Sequence, residues 1–416
     1  MTILFLTSLK ITTLKNRGIY HDLMREFASH HHNLYIVCPN ERREKKPSSL
    51  TSEGNVHFLT IGTLNVQKTN VFEKGLATLS MEHLFLWGVQ KHFEDVKFDL
   101  VLYSTPPITF TKVISYIKNK DGAMSYLLLK DIFPQNAVDM NMISQNGLIY
   151  RYFRKKEKTL YEISDVIGCM SEANRKYVLR HNHSIEAEKV EINPNSIEPL
   201  PYHELSIEEK KLLRKKYKLP LQKKIFIYGG NLGIPQGLDF LLETIDLSKS
   251  DPRMFFIIVG SGTEFAKIQE WFKINKPKNA KLLSGLPKAE YDDLIKICDV
   301  GLIFLNKNFT IPNFPSRLLS YLEYKLPVLV AADPHTDIGT EVERHNCGVS
   351  VLSGNTEAMT SALEYFCSVD VGAFNELKDN ARKYLDENFL VSQAYDKIMQ
   401  RFKPFRKLKD QESLTL

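Results

Sequence analysis

Two periods alternate along the chain. Short runs of consecutive apolar residues are each followed by a stretch whose apolar positions recur every three or four residues. In the first half the runs are Thr2 to Thr7, Asn33 to Cys38, Val56 to Ile61, Phe98 to Ser104, Met124 to Leu129, Asp165 to Met170 and Lys189 to Ile192. In the second they are Ile225 to Tyr228, Met254 to Val259, Ala280 to Leu283, Val300 to Leu305, Val328 to Ala331 and Gly348 to Leu352. Unbroken apolar runs, as opposed to alternating ones, suit strands covered on both faces. Strands alternating with helical stretches such as Ile19 to Ala28 predict βαβ units, parallel sheets and right-handed crossovers. A polar loop, Ser8 to Arg17, and a charged stretch, Asn40 to Lys46, separate the first elements.

Residues 193–221 interrupt the alternation. Pro194, Pro199 and Pro201, then the charges from Glu208 to Lys218, predict a connection holding one solvated helix. Beyond Phe374 no strand pattern returns, and the tail to Phe402 predicts two helices. The expected class is α/β, with two Rossmann-like domains facing across a cleft. The boundaries are 1–195 for the first domain, 196–222 for a linker, 223–375 for the second domain and 376–416 for the closing helices. Ligands of such sheets bind beyond the carboxyl ends of the strands.

The richest stretch is Lys224 to Leu241. The strand ending at Tyr228 meets Gly229, Gly230, Gly233 and Gly237, and a helical period begins at Leu238. Glycines let backbone N–H groups approach an anion, and a helix start adds partial positive charge. An ordinary tight turn is the other reading of the same residues.

Composition adds bounds. At 416 residues two domains are expected, and 43% hydrophobic with 25% charged residues is the make-up of a globular protein. A net charge of +6 suits phosphates or acidic lipid headgroups and falls short of a nucleic-acid-coating surface. Five cysteines are scattered without pair spacing, and three of them (Cys38, Cys169, Cys298) lie in or beside apolar runs, as core residues of a reducing compartment do. No metal-ligand spacing emerges. Residues 1–6 lack the cationic start and cleavage pattern of a signal peptide, and no run reaches the roughly 18 apolar residues of a spanning helix. The expectation is a cytoplasmic protein that can lie peripherally on the inner face of the plasma membrane.

Several motifs in order resemble the GT-B glycosyltransferases of family 4 (group 1), most closely over residues 192–352. Ile192-Asn193-Pro194-Asn195-Ser196 is similar to the family's interdomain turn, and Tyr228-Gly229-Gly230-Asn231-Leu232 to its glycine-rich loop. Gln236-Gly237-Leu238 resembles the start of the next helix, and Ile258-Val259-Gly260-Ser261-Gly262 the following strand and turn. Ser284-Gly285-Leu286-Pro287 with Tyr291 to Asp299 resembles the segment near the nucleotide base. Phe314-Pro315-Ser316-Arg317 with Leu326-Pro327-Val328-Leu329 resembles the donor-binding helix and its strand. The sub-branch resembled comprises capsule and O-antigen sugar transferases, including the N-acetylfucosaminyl type. There are departures. Asn231 and Gln236 stand where many members have Arg and Lys, and the two glutamates eight residues apart fall on Pro312 and Ser320. Glu323, one turn on, is either a substitute carboxylate or a solvated glutamate.

The resemblance implies a retaining transferase moving a sugar from a UDP-sugar to a lipid-linked acceptor, such as an undecaprenyl-diphosphate saccharide, without a metal cofactor or nucleic acid. Cleaving such a donor leaves a diphosphate, so cationic and backbone donors are needed. Arg317 supplies a guanidinium fork, or else is a plain surface arginine. Ser316, Ser320, Gly229, Gly230, Asn231 and Gln236 are expected donor contacts, with Ser284 and Leu286 near the base, and Arg17 and Gly18 reaching in from the first domain. In that domain Lys130-Asp131-Ile132-Phe133-Pro134 matches the family's acceptor-side loop. Asp131 is a candidate to orient the acceptor or a helix cap, and Lys130 stands where histidine is frequent. The closing helices are expected to cross back to the first domain. His30 to His32 read as a solvated helix end. The basic runs Arg151 to Lys158 and Lys403 to Lys409 are either solvated faces or membrane contacts. Two rivals share the fold: a UDP-sugar 2-epimerase and an inactive sugar-nucleotide-binding subunit.

Overall fold

The computed structural model describes residues 1–65 and 71–413. The chain forms two compact units, Met1–Glu198 with Phe389–Leu416, and Pro199–Asn388. In the first, β1 (Thr2–Leu6), β2 (Asn33–Glu41), β3 (Ser49–Glu53), β4 (Val56–Thr63), β5 (Leu100–Ser104), β6 (Met124–Leu129), β7 (Val166–Cys169) and β8 (Val190–Ile192) form one sheet. Its order is β3-β4-β2-β1-β5-β6-β7-β8. All pairings are parallel except β3 with β4. Strand β3 carries no apolar signal because all five of its residues are exposed on a sheet edge. The order reverses between β1 and β5, where α/β sheets place ligands.

The second unit holds β9 (Lys224–Asn231), β10 (Met254–Ser261), β11 (Ala280–Ser284), β12 (Val300–Phe304), β13 (Val328–Ala332) and β14 (Gly348–Leu352). They are all parallel, in the order β11-β10-β9-β12-β13-β14. Phe226, Tyr228, Phe256, Ile258, Leu302 and Phe304 fill one side of this sheet with Leu238, Leu241 and Ile245 from the helix Leu238–Leu247.

Several boundaries differ from the sequence reading. Of the stretch 196–222, residues 196–198 belong to the first unit and 199–222 are built into the second, so it is not a free connection. Its helix, Ile207–Lys216, turns Arg214 inward to donate to the Ile297 carbonyl and pair with Asp299 at 2.7 Å. A charge pattern alone cannot distinguish such an arginine from a solvated one. The helix Val371–Asn388 also stays in the second unit, and the chain re-enters the first at Phe389. There Ile197 N–H donates to the Phe389 carbonyl, and Val391 N–H donates to that of Ile197. The last helix, Val391–Ser413, then adds Val391, Ala394, Tyr395, Ile398 and Phe402 to the first unit's core.

That docking also changes the histidines. His30 stacks on Tyr395 with centroids 4.2 Å apart, and His32 Nε2 lies 3.1 Å from the Tyr395 hydroxyl. Burial, with the Met1 ammonium beside it, pushes His32 down to about 4, so His32 is packed here, while His30 and His31 stay exposed at this helix end. Cys38, Cys169 and Cys298 are buried. Among the described residues no helix is long and apolar enough to cross a membrane. The side chain of Lys409, expected in the second basic run, lies outside the described residues.

Candidate functional site

In the second unit, the site grows from the end of β9. Its glycines divide the labour differently from the sequence reading. Gly229 is buried under Tyr291, whose hydroxyl would lie 1.9 Å from a Cβ there, and its N–H donates to the Tyr321 hydroxyl. It is a packing glycine with its donor already used. Gly230 is the open one. It is exposed, its φ is +120°, and the nearest side-chain atom to an added Cβ would be Arg317 Nη2, 3.9 Å away.

Arg317 begins the helix Arg317–Glu323. Its guanidinium lies over the Tyr228 ring, 4.2 Å from the centroid, and Nη2 donates to Gln236 Oε1 at 2.7 Å. Among the described residues Nη1 is buried with no hydrogen-bond partner. All these partners are neutral. A fixed cation held by an aromatic face and an amide, with one nitrogen unsatisfied, is prepared for an anion. Tyr228 is locked in turn by donating to the Asn231 carbonyl at 2.9 Å. Burial raises the Tyr228 hydroxyl above the usual phenol range, although Arg317 opposes this. Ser316, at the head of the helix, is exposed and makes no capping bond, so its hydroxyl is open. Ser320 is half-buried one turn further.

Close backbone approach shapes the neighbouring loops. A Cβ on Gly260 would lie 1.9 Å from the Gly230 carbonyl, and one on Gly262 would lie 2.2 Å from that of Leu232. Ser284 ends β11 opposite Gly260, and Leu286 follows; the next helix, Lys288–Lys296, brings Tyr291 over Gly229. Past β12 and β13, Asn313 Nδ2 and Asp333 Oδ2 are also buried without partners among the described residues. Asp333 Oδ1 accepts from the His335 and Thr336 N–H groups, and burial raises its carboxyl. Neither Asn313 nor Asp333 stood out in the sequence, because an Asn or Asp after a strand reads as a turn residue.

Glu323 corrects both of its readings. It is 2% exposed, and Oε1 accepts from Leu200 N–H at 2.8 Å, so it neither replaces a donor-binding carboxylate nor sits in solvent. Glu323→Ala should cost about 1–3 kcal/mol by leaving that N–H unsatisfied. Denaturant melts should show this loss while donor KM stays within twofold.

In the first unit, the loops after β5, β6 and β8 meet. Thr105 Oγ1 accepts from the N–H groups of Lys130 and Asp131 and lies 3.1 Å from the Asp131 carbonyl. Both Asp131 carboxylate oxygens accept from Asn136 Nδ2, at 2.9 and 2.7 Å. Asp131 is therefore no helix cap. The helix Gln135–Asp139 starts from Pro134 with no side-chain cap. Lys130 Nζ donates to the Asn193 carbonyl at 3.1 Å, and burial pushes its ammonium down to about 7. Arg17, expected at the donor, donates from Nη2 to the Glu198 carbonyl, and Gly18 N–H donates to Asp22.

Lys130 gives a pH prediction. Between about 7 and the ordinary lysine range the unfolded chain holds a proton that the folded one lacks, so stability rises with pH there. The wild type should gain roughly 1–2 kcal/mol over Lys130→Met between pH 7 and 9. Urea titrations at the two pH values measure this difference.

Residues 209–384 match the family described as Glycosyl transferases group 1. The chain is similar to Probable glycosyltransferase WbjE of Pseudomonas aeruginosa, 23% identical over 330 residues covering 77% of this chain and 78% of that one. It is also similar to Putative colanic acid biosynthesis glycosyl transferase WcaI of Escherichia coli K12, 27% identical over 183 residues, 43% of this chain and 44% of that one. Among solved structures it resembles E. coli "Trehalose-6-phosphate … bound with UDP-2-fluoro glucose". The TM-score is 0.73 at 11% identity, covering 96% of this chain and 99% of the other.

Proposed function

From the premise that the chain is a glycosyltransferase of GT-B fold with a group 1 domain in its second unit, we propose that it transfers a sugar, with retention, from a UDP-sugar to a lipid-linked acceptor in bacterial surface-polysaccharide synthesis. The observation that carries the donor side is Arg317: its Nη1 is buried without a hydrogen-bond partner among the described residues, and its Nη2 is the nearest side-chain atom to the open backbone of Gly230. A diphosphate oxygen satisfies Nη1, with Ser316 and Asn231 as further donors. Support for the nucleotide comes from the UDP-2-fluoro glucose in the similar structure, and support for the pathway from the colanic acid relative's name. An N-acetylated deoxyhexosamine is the sugar we propose, in a capsule or O-antigen.

As the bond from the anomeric carbon to the diphosphate oxygen breaks, negative charge grows on that oxygen, and the guanidinium stabilises it. The acceptor hydroxyl attacks from the same face, forming the new glycosidic bond and giving its proton to the departing diphosphate. In the first unit Asp131, held by Asn136, is the carboxylate proposed for binding the acceptor. Asn313 and Asp333 offer their unsatisfied atoms to sugar hydroxyls. No metal is required in this scheme, so turnover should be unchanged to within twofold in excess EDTA; a loss restored by Mg²⁺ would overturn that point.

The test is a screen of UDP-sugars with undecaprenyl-diphosphate-linked acceptors, read as UDP release and acceptor mass gain. Isomerised sugar formed without acceptor would replace this reading with an epimerase. Binding of UDP without transfer across the screen would replace it with an inactive subunit.

A further inference from the structure

We propose that the first turns of the helix Leu148–Ile163, with Met142 just before it, dock the first unit onto a bilayer rich in anionic headgroups. Leu148 is 81% exposed, Ile149 59%, Met142 54% and Tyr152 47%, a cluster of large apolar side chains within eleven residues. A single exposed leucine needs no explanation; four large apolar groups at one helix start do. Leu148, Arg151, Tyr152, Lys155 and Lys158 follow three- and four-residue spacing and are exposed, whereas Glu157, Leu160 and Tyr161 face the core.

The charges sort by the same division. The inward-leaning cations are paired, Arg154 with Glu157 and Lys156 with Glu82. Arg151, Lys155 and Lys158 make no ion pair among the described residues and stand on the outward face. Glu162 is the acid on that face, one turn past Lys158. Apolar tips with unpaired cations behind them match the acyl boundary and headgroup layer of an anionic membrane. A second copy of the chain would set these cations against their own equivalents across a twofold axis. The helix also reaches the acceptor-side loop, since Phe153 packs edge-on against Phe133 at 5.0 Å. The inference deepens the proposed function and rests on it for its purpose, because a lipid-linked acceptor arrives in a membrane.

Vesicle binding by the full chain, without nucleotide sugar, tests the docking apart from the transfer. The protein should sediment with phosphatidylcholine vesicles containing phosphatidylglycerol, and far less with phosphatidylcholine alone or in high salt. Arg151→Gln/Lys155→Gln/Lys158→Gln should weaken partitioning on the order of a hundredfold, and Leu148→Ser/Ile149→Ser at least tenfold. Thermal melts of these surface variants should match the wild type. Absence of binding to the anionic vesicles, or binding that both variants retain, overturns the proposal. So does a dimer in solution that Leu148→Ser/Ile149→Ser dissociates while vesicle binding is absent. Transfer to a detergent-dispersed acceptor should be unaffected by either variant, so loss of docking and loss of transfer remain separate results.

Discussion

Arg317→Ala is expected to lower kcat/KM by about 10²–10³-fold while leaving the melting temperature unchanged or slightly higher, the size of effect seen when one donor to a developing oxyanion is removed. The unusual part is the stability. Among the described residues Arg317 Nη1 is buried without a partner, and the guanidinium makes no ion pair. Deleting it removes a desolvated, incompletely bonded group from the folded protein. A structural arginine would behave in the opposite way, destabilising the unit and lowering activity only in proportion. Arg317→Lys keeps the charge but loses the fork and the planar stacking on Tyr228, so it should recover only part of the loss. Steady-state kinetics with saturating acceptor, set beside calorimetric melts, separate the cases. Activity within threefold of wild type would remove Arg317 from the reaction.

Gly260→Ala should be strongly disruptive in this part of the second unit. In the paired strands Gly260 lies opposite Gly230, and a Cβ would meet the Gly230 carbonyl at 1.9 Å and its carbon at 2.9 Å. Backbone within a central pair cannot turn aside as a side-chain end can, so β9 and β10 must part. Overpacking of this kind costs about 1–3 kcal/mol or more. That corresponds to a fall of roughly 2–12 °C in melting temperature for a unit of this size. The displaced residue is Gly230, beside Arg317, so UDP affinity should fall with stability. Gly285→Ala is the control: the nearest atoms to its added Cβ lie 3.9 Å away, an ordinary contact, and its melt should match the wild type. Equal melts for the two variants would mean that β9 and β10 are not held in this register.

Several expectations depended on chemistry that a linear chain does display. A buried strand needs an unbroken apolar run, so thirteen of the strands were visible, and the missing one, β3, has no buried face. Arg317 stood out because Pro-Ser-Arg before an apolar helix is a local pattern. What Glu323 or Gly229 does is not local. A glutamate in a helix looks the same whether it meets water or Leu200 N–H, and a glycine looks the same under a phosphate or under Tyr291. The N-cap reading of Asp131 failed for the same reason, since its partner Asn136 belongs to the following helix.

From residue order alone came the alternation of buried runs and amphipathic helices, the two-unit organisation and the family resemblance, because burial on two faces and turn chemistry are written into neighbouring residues. Only folding decided which cations are paired inward, as Arg154, Lys156 and Arg214 are, and which face solvent. Only folding set the guanidinium of Arg317 over Tyr228 and beside Gly230, 89 and 87 positions earlier in the chain. Charge type is a property of a residue. Whether that charge is satisfied depends on which distant groups the sheet brings to it.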